Sequence, residues 1–156
     1  KKKAADLFKK AADGGNVEAM KNLAWMLHVG DGIDENQNEA LKNYKMAADS
    51  GDLDSVIKYA SMIDLTKESI EYYKIAADGG NIEAMFKYGV KLYQMNNESN
   101  AKEIYFYLKN AADLGNIKAM KFLANIIDKN DCLDVDKSEA VNYYKKFQII
   151  SLNLCN

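Results

Sequence analysis

Ala76-Ala77-Asp78-Gly79-Gly80-Asn81-Ile82-Glu83-Ala84-Met85 is the stretch that decides the fold. It reads as the end of one helix, a glycine turn and the start of the next helix. The second glycine suits a helix C′ position, where positive φ costs glycine almost nothing. The asparagine after it suits an N-cap, because its side-chain oxygen accepts from the orphan N–H groups of the new first turn. So short a connection makes the two helices an antiparallel hairpin. The phrase recurs as AADGGNVEAM from Ala11, AADSGDLDSV from Ala47 and AADLGNIKAM from Ala111. A degenerate fifth phase point falls at Phe147, giving spacings of 36, 29, 35 and 36 residues. Periods of this length indicate a helical solenoid.

The helix before each turn, here called B, repeats a small residue, an aromatic or Leu four on, and the Ala pair three further on. Its copies are Ala4/Phe8/Ala11/Ala12, Ala40/Tyr44/Ala47/Ala48, Ser69/Tyr73/Ala76/Ala77 and Ile104/Leu108/Ala111/Ala112, with Ala140/Tyr144/Phe147/Gln148 as a degenerate last copy. The helix after each turn, A, carries Ala19/Met20/Leu23/Ala24/Leu27 and its counterparts Ser55/Val56/Tyr59/Ala60/Ile63, Ala84/Met85/Tyr88/Gly89/Leu92 and Ala119/Met120/Leu123/Ala124/Ile127. Each set lies on one helical face. A single hairpin cannot cover such a stripe, whereas stacked neighbours can. Length variation falls in the A-to-B loops, at 30–36, 64–66 and 129–136.

The chain of 156 residues is expected to form one domain, spanning 1–156 and cut from a longer array. With 48% hydrophobic and 28% charged residues it has a globular composition. A net charge of −2 provides no electrostatic footprint for nucleic acid. No apolar run approaches the roughly 20 residues of a membrane-spanning helix. All 21 basic residues are lysine, so the arginine fork for bidentate anion recognition is missing. Cys132 and Cys155 are out of phase with the repeat, which favours an intracellular, reducing compartment over a disulfide framework. The apolar tail 149–154 is expected to start another A helix or to cover the open end. Lys1-Lys2-Lys3 opposes the dipole of a helix starting there, and a frayed end is expected.

The Ala-Ala-x-x-Gly-[Asn/Asp]-x-x-Ala turn, the Leu23-Ala24 type of pair and Gly30-x-Gly32-Ile33 resemble the Sel-1-like repeat family, a branch of the tetratricopeptide-like solenoids. The resemblance runs from about Ala4 to Phe147 and implies a right-handed, all-α superhelical solenoid of about four repeats. It also implies a concave side lined by A helices, and an adaptor without shared catalytic residues or cofactors.

On that geometry the A-helix positions beside the core stripe face a groove. They are Glu18, Lys21, Trp25 and His28; Asp54, Ile57, Ser61 and Asp64; Glu83, Phe86, Val90 and Tyr93; Lys118, Lys121, Asn125 and Asp128. Core packing does not need Trp25, Ile57, Phe86, Val90 or Tyr93, so they are expected to floor a groove with lysine and carboxylate edges for a protein or peptide ligand, and Lys21, His28, Ser61, Lys121 and Asn125 are expected to line it with them.

Competing chemistry is weaker. Ser55-Val56-Ile57-Lys58 spells the S-x-x-K of acyl-transfer enzymes, and a few proteins of the resembled family are linked to β-lactam binding or hydrolysis. Ser55, however, takes the packing position of Ala19, Ala84 and Ala119. Asp128, Asn130, Asp134, Asp136 and Glu139 fit a calcium-loop frame, but Cys132 and Leu133 stand where an oxygen ligand and a glycine belong. His28 is the only histidine, so no histidine pair exists for a metal. Asn97-Glu98-Ser99 is a glycosylation sequon that chance alone would supply. A third reading is a spacer, or an array segment that self-associates through its ends.

Overall fold

The computed structural model describes residues 1–64, 66–95, 100–129 and 137–153. Among them are nine α-helices and no strand. The B helices are α1 (Lys2–Asp13), α3 (Gln37–Asp49), α5 (Glu68–Asp78), α7 (Ala101–Asp113) and α9 (Lys137–Asn153). The A helices are α2 (Val17–Val29), α4 (Leu53–Met62), α6 (Ile82–Gln94) and α8 (Ile117–Lys129). They form two compact units, Lys1–Ile75 and Ala76–Asn156, with the boundary inside α5.

The turns have the geometry their residues require. Gly15, Gly51, Gly80 and Gly115 have φ of 88°, 92°, 90° and 95°. At each one the following N–H bonds back to the first alanine of the pair (Asn16 to Ala11, Asp52 to Ala47, Asn81 to Ala76, Asn116 to Ala111), and the glycine N–H bonds to the second alanine. This is the Schellman arrangement, and it satisfies carbonyls the ending helix would otherwise leave open. The same Asn or Asp then caps the next helix, accepting from the N–H of Ala19, Ser55, Ala84 or Ala119 at 2.8–2.9 Å. One residue thus closes one helix and opens another, which is why the phrase is so short. At the fifth phase point Ser151 stands in the glycine's place, and α9 runs on to Asn153 instead of turning. The tail, as far as Asn153, therefore extends a B helix rather than starting an A helix. Helix α1 begins at Lys2, and the Lys1 ammonium reaches Asp31 at 2.5 Å.

In the first unit α1 packs on α2, α2 on α3 and α3 on α4; in the second, α6 on α7, α7 on α8 and α8 on α9. The A-helix stripe is the core. Leu23, Ala24, Leu27, Val56, Tyr59 and Ala60 are buried in the first unit, and Tyr88, Leu92, Leu123, Ala124 and Ile127 in the second. Burying one such aliphatic side chain contributes about 1.5–3 kcal/mol. Ile63 and Met85 are only partly buried, and Ala4 and Ala11 of α1 are exposed.

A second register runs beside the hydrophobic one, and hydropathy does not show it. Each of α1, α3, α5 and α7 carries Lys two before the alanine pair and Asp two after its start (Lys9/Asp13, Lys45/Asp49, Lys74/Asp78, Lys109/Asp113). The following B helix carries Glu eight before its own phase point (Glu39, Glu68, Glu103, Glu139) and, four before it, Asn43, Tyr72, Tyr107 or Tyr143. In space these become ion pairs and tyrosine locks between repeats. Lys45 meets Glu68 at 2.8 Å and Lys109 meets Glu139 at 2.9 Å, while Lys9 meets Glu39 at 3.7 Å. The hydroxyls of Tyr72 and Tyr143 donate to Asp49 and Asp113 at 3.0 and 3.1 Å, and that of Tyr107 donates to Asp78. A-helix tyrosines join in, with Tyr59 donating to Glu68 at 3.1 Å and Tyr88 to Glu103 at 2.9 Å. Burial, then its hydrogen bond to Glu139, pushes the Tyr105 hydroxyl up to about 12.

Candidate functional site

In the first unit a cleft of about 290 Å³ opens between α2 and α4, with α3 beneath it. Lys21, Asn22 and Trp25 form one wall, Asp54, Ile57 and Lys58 the other, and Tyr44 the floor. Trp25 is 48% exposed although the residues on either side of it are buried. Its position five after Met20 turns it off the core stripe, as the helical period requires.

Charge frames the apolar centre unevenly. The Lys21 ammonium lies 2.9 Å from Glu18, 3.5 Å from Asp52 and 3.9 Å from Asp54. Its hydrogen bond to Glu18 raises it above its ordinary value and holds Glu18 below the usual carboxylate range, so both stay charged. Lys58 makes no ion pair among the described residues, and its ammonium is open to an incoming anion. Burial pushes the Tyr44 hydroxyl up, keeping it a neutral donor.

Of the groove residues expected from sequence, the cleft gathers Lys21, Trp25 and Ile57, with Asp54 beside them. Ser61 is exposed and its hydroxyl donates to the Lys58 carbonyl. His28 and Ser61 are not among the residues lining the cleft. His28 is tied to the start of α3, its Nδ1 2.7 Å from Gln37 Oε1 and its carbonyl accepting from Gln37 Nε2. Asp64 accepts from Tyr73 at 2.7 Å.

The second unit has its own aromatic face. Phe122 of α8 meets Phe86 and Tyr93 of α6 edge-on, with ring centres 6.1 and 5.4 Å apart. Edge-to-face pairs at this separation add to the stabilisation from burial. Phe86, Val90 and Tyr93 are half-buried, between the free floor expected and a closed core. Lys121 is exposed, its ammonium 5.7 Å from the Phe147 ring centre. Asn125 is held by α9, accepting from the Tyr144 hydroxyl at 2.6 Å.

Sequence reasoning missed Asn22, Lys58 and Phe122. All three stand two after the core Met or Val (Met20, Val56, Met120), one helical turn before the residue five after it. Adding that i, i+3 neighbour would have found them. Tyr44 was read as core alone; it is 2% exposed yet floors the cleft.

Ser55 is fully buried, and its hydroxyl has no hydrogen-bond partner among the described residues. No substrate reaches it there. Glu139 is engaged with Tyr105 and Lys109. Asn130, Cys132, Leu133, Asp134 and Asp136 of the calcium frame, the sequon 97–99 and Cys155 lie outside the described residues. Among the described residues no three metal-ligating side chains group together, and no helix is long and apolar enough to cross a membrane.

The chain belongs to the Sel1 repeat family, whose family model matches residues 1–16, 17–52, 64–81, 82–116 and 117–147. A Sel1 repeat protein from Oxalobacter formigenes is similar at 26% identity and a TM-score of 0.73, over 94% of this chain and 63% of that one. The protective antigen c5321 of uropathogenic Escherichia coli, which displays an SLR fold, is similar at 23% identity and a TM-score of 0.78, over 92% and 32%. The immunity protein Pa5087 from Pseudomonas aeruginosa is similar at 22% identity and a TM-score of 0.52, over 92% and 56%. The chain thus spans less than two thirds of the length of each of these proteins. None of the curated proteins compared matches it. The fold class is the all-α helical-repeat solenoid, and the family is in general a protein-interaction scaffold, typically non-enzymatic.

Proposed function

We propose that this chain is a non-catalytic adaptor that holds an extended peptide or amphipathic helix in the α2/α4 cleft. The observation that carries this reading is the half-exposed Trp25 beside Ile57 and the unpaired Lys58. An apolar partner side chain would cover the indole, and a partner carboxylate would meet Lys58. Lys21, already neutralised by its three carboxylates, would orient backbone groups rather than supply net charge. The Phe86, Val90, Tyr93 and Phe122 face of the second unit, with Lys121 and Asn125 at its edge, supports a contact of the same apolar kind.

Selection of a displayed random-peptide library on the whole chain tests the reading. Enriched sequences should pair a large apolar residue with an acidic one. They should lose about tenfold or more in affinity for Trp25→Ala, as buried aromatic anchors do. Enriched peptides that bind Trp25→Ala and Ile57→Ser as well as the parent would remove the cleft from consideration.

A further inference from the structure

The tyrosine locks between repeats are interrupted at one place. At three junctions a B-helix tyrosine (Tyr72, Tyr107 or Tyr143) lays its ring between repeats and donates to the aspartate of the preceding turn. At the first junction the residue in that register is Asn43. Its side chain is too short for the task and folds back, Nδ2 donating to the Glu39 carbonyl of its own helix at 2.9 Å.

What remains is a cleft of about 150 Å³ whose lining includes Asp13, Leu23, Lys9 and Glu39. Each is the register equivalent of a group that surrounds a tyrosine elsewhere. Asp13 corresponds to Asp49, the acceptor of Tyr72. Leu23 corresponds to Tyr59, which packs edge-on against Tyr72 with ring centres 4.7 Å apart. Lys9 and Glu39 correspond to Lys45 and Glu68, and their 3.7 Å ion pair closes one side of the cleft. The Asp13 carboxylate makes neither a hydrogen bond nor an ion pair among the described residues. A cavity of roughly 150 Å³ is large enough for a benzene-sized ring.

We propose that this cleft receives a tyrosine side chain supplied by a partner polypeptide, its hydroxyl donating to Asp13 and its ring lying on Leu23. The occupant is identified by the chain's own sibling junctions, where the same surroundings hold a tyrosine. The site lies between α1, α2 and α3 and does not depend on the α2/α4 cleft being occupied.

Titration of the isotopically labelled whole chain with N-acetyl-L-tyrosinamide, followed by amide NMR shifts, tests it. Saturable shifts are expected around Asp13 and Asn43. N-acetyl-L-phenylalaninamide should bind about tenfold more weakly, since it lacks the hydrogen bond to a charged acceptor. Asn43→Tyr should fill the cleft from within, melt at a higher temperature than the parent and abolish the shifts. Asp13→Asn, at an exposed position, should leave folding intact and erase the preference for the tyrosine amide. Absence of localised saturable shifts, equal binding of the two amides, undiminished binding to folded Asn43→Tyr, or an unchanged preference in Asp13→Asn would each overturn the proposal.

Discussion

Gly89 sits in the middle of α6, at the register position that Ala24, Ala60 and Ala124 fill in the other A helices. Helix propensity alone makes Gly89→Ala favourable by about 1 kcal/mol. The packing opposes it. A Cβ built on Gly89 falls 2.7 Å from Leu108 Cγ and 2.8 Å from its Cδ2, against an optimum of roughly 3.5–4.0 Å for such carbons. Leu108 is fully buried, and in the other repeats its register position carries Phe8, Tyr44, Tyr73 or Tyr144. The branch point of leucine crowds the helix backbone where the flat ring of its counterpart Tyr44 packs with Ala24 in one buried cluster. Overpacking of this kind costs about 1–3 kcal/mol. The difference leaves Gly89→Ala destabilised by about 1 kcal/mol, which lowers the melting temperature by about 2–4 °C for a chain of this size. The assay is denaturant unfolding of the parent, Gly89→Ala, Leu108→Ala and the double variant. In the Leu108→Ala background the overlap is gone, and Gly89→Ala should become stabilising by about 1 kcal/mol through propensity alone. A parent made more stable by Gly89→Ala would refute the packing argument.

Three further outcomes follow from the same contacts. Ser55→Ala removes a buried hydroxyl that lacks a hydrogen-bond partner among the described residues and should raise stability by about 1 kcal/mol; a loss measured by denaturant unfolding would show that the hydroxyl is satisfied. Tyr72→Phe keeps the ring but loses the bond to Asp49, and a loss of about 0.5–1.5 kcal/mol is expected in the same assay. The hydrogen bond from Lys45, then that from Tyr59, holds the Glu68 carboxyl below its ordinary 4.5. A depressed carboxyl stabilises the fold above its unfolded-state value and loses that contribution as the pH falls through its folded value. Melting temperatures measured from pH 7 downward should therefore fall below about pH 4.5. Glu68→Gln should start lower at pH 7 and fall less steeply; identical acid limbs for the two proteins would refute this assignment.

The hairpin architecture was legible because its signals are local. Gly80 and Asn81 must take the conformations that their neighbours in sequence impose, so one phrase discloses two helix ends. The end of α9 follows the same logic, since Ser151 in place of glycine removes the stop. The tyrosines that lock the repeats went unread for a physical reason. Hydrophobic periodicity scores Tyr72 and Tyr107 by their rings alone, while their hydroxyls reach carboxylates 23 and 29 residues earlier. Only the recurrence of Lys, Asp, Glu and Tyr at fixed offsets marks those pairs. The α2/α4 cleft was legible at Trp25 and Ile57, where the helical period turns a large side chain off the core. The surroundings of His28, Asp64 and Asn125 were not. Their polar ends are engaged by Gln37, Tyr73 and Tyr144, and facing direction says nothing of such partners.

Trp25 is the only tryptophan, so its emission reports on the α2/α4 cleft alone. Titration of the chain with a library-selected peptide should shift that emission to the blue, shield it from acrylamide and saturate at the affinity found by an independent method. A peptide that binds with that affinity while the emission and quenching of Trp25 stay unchanged would contradict the assignment of the cleft as the binding surface.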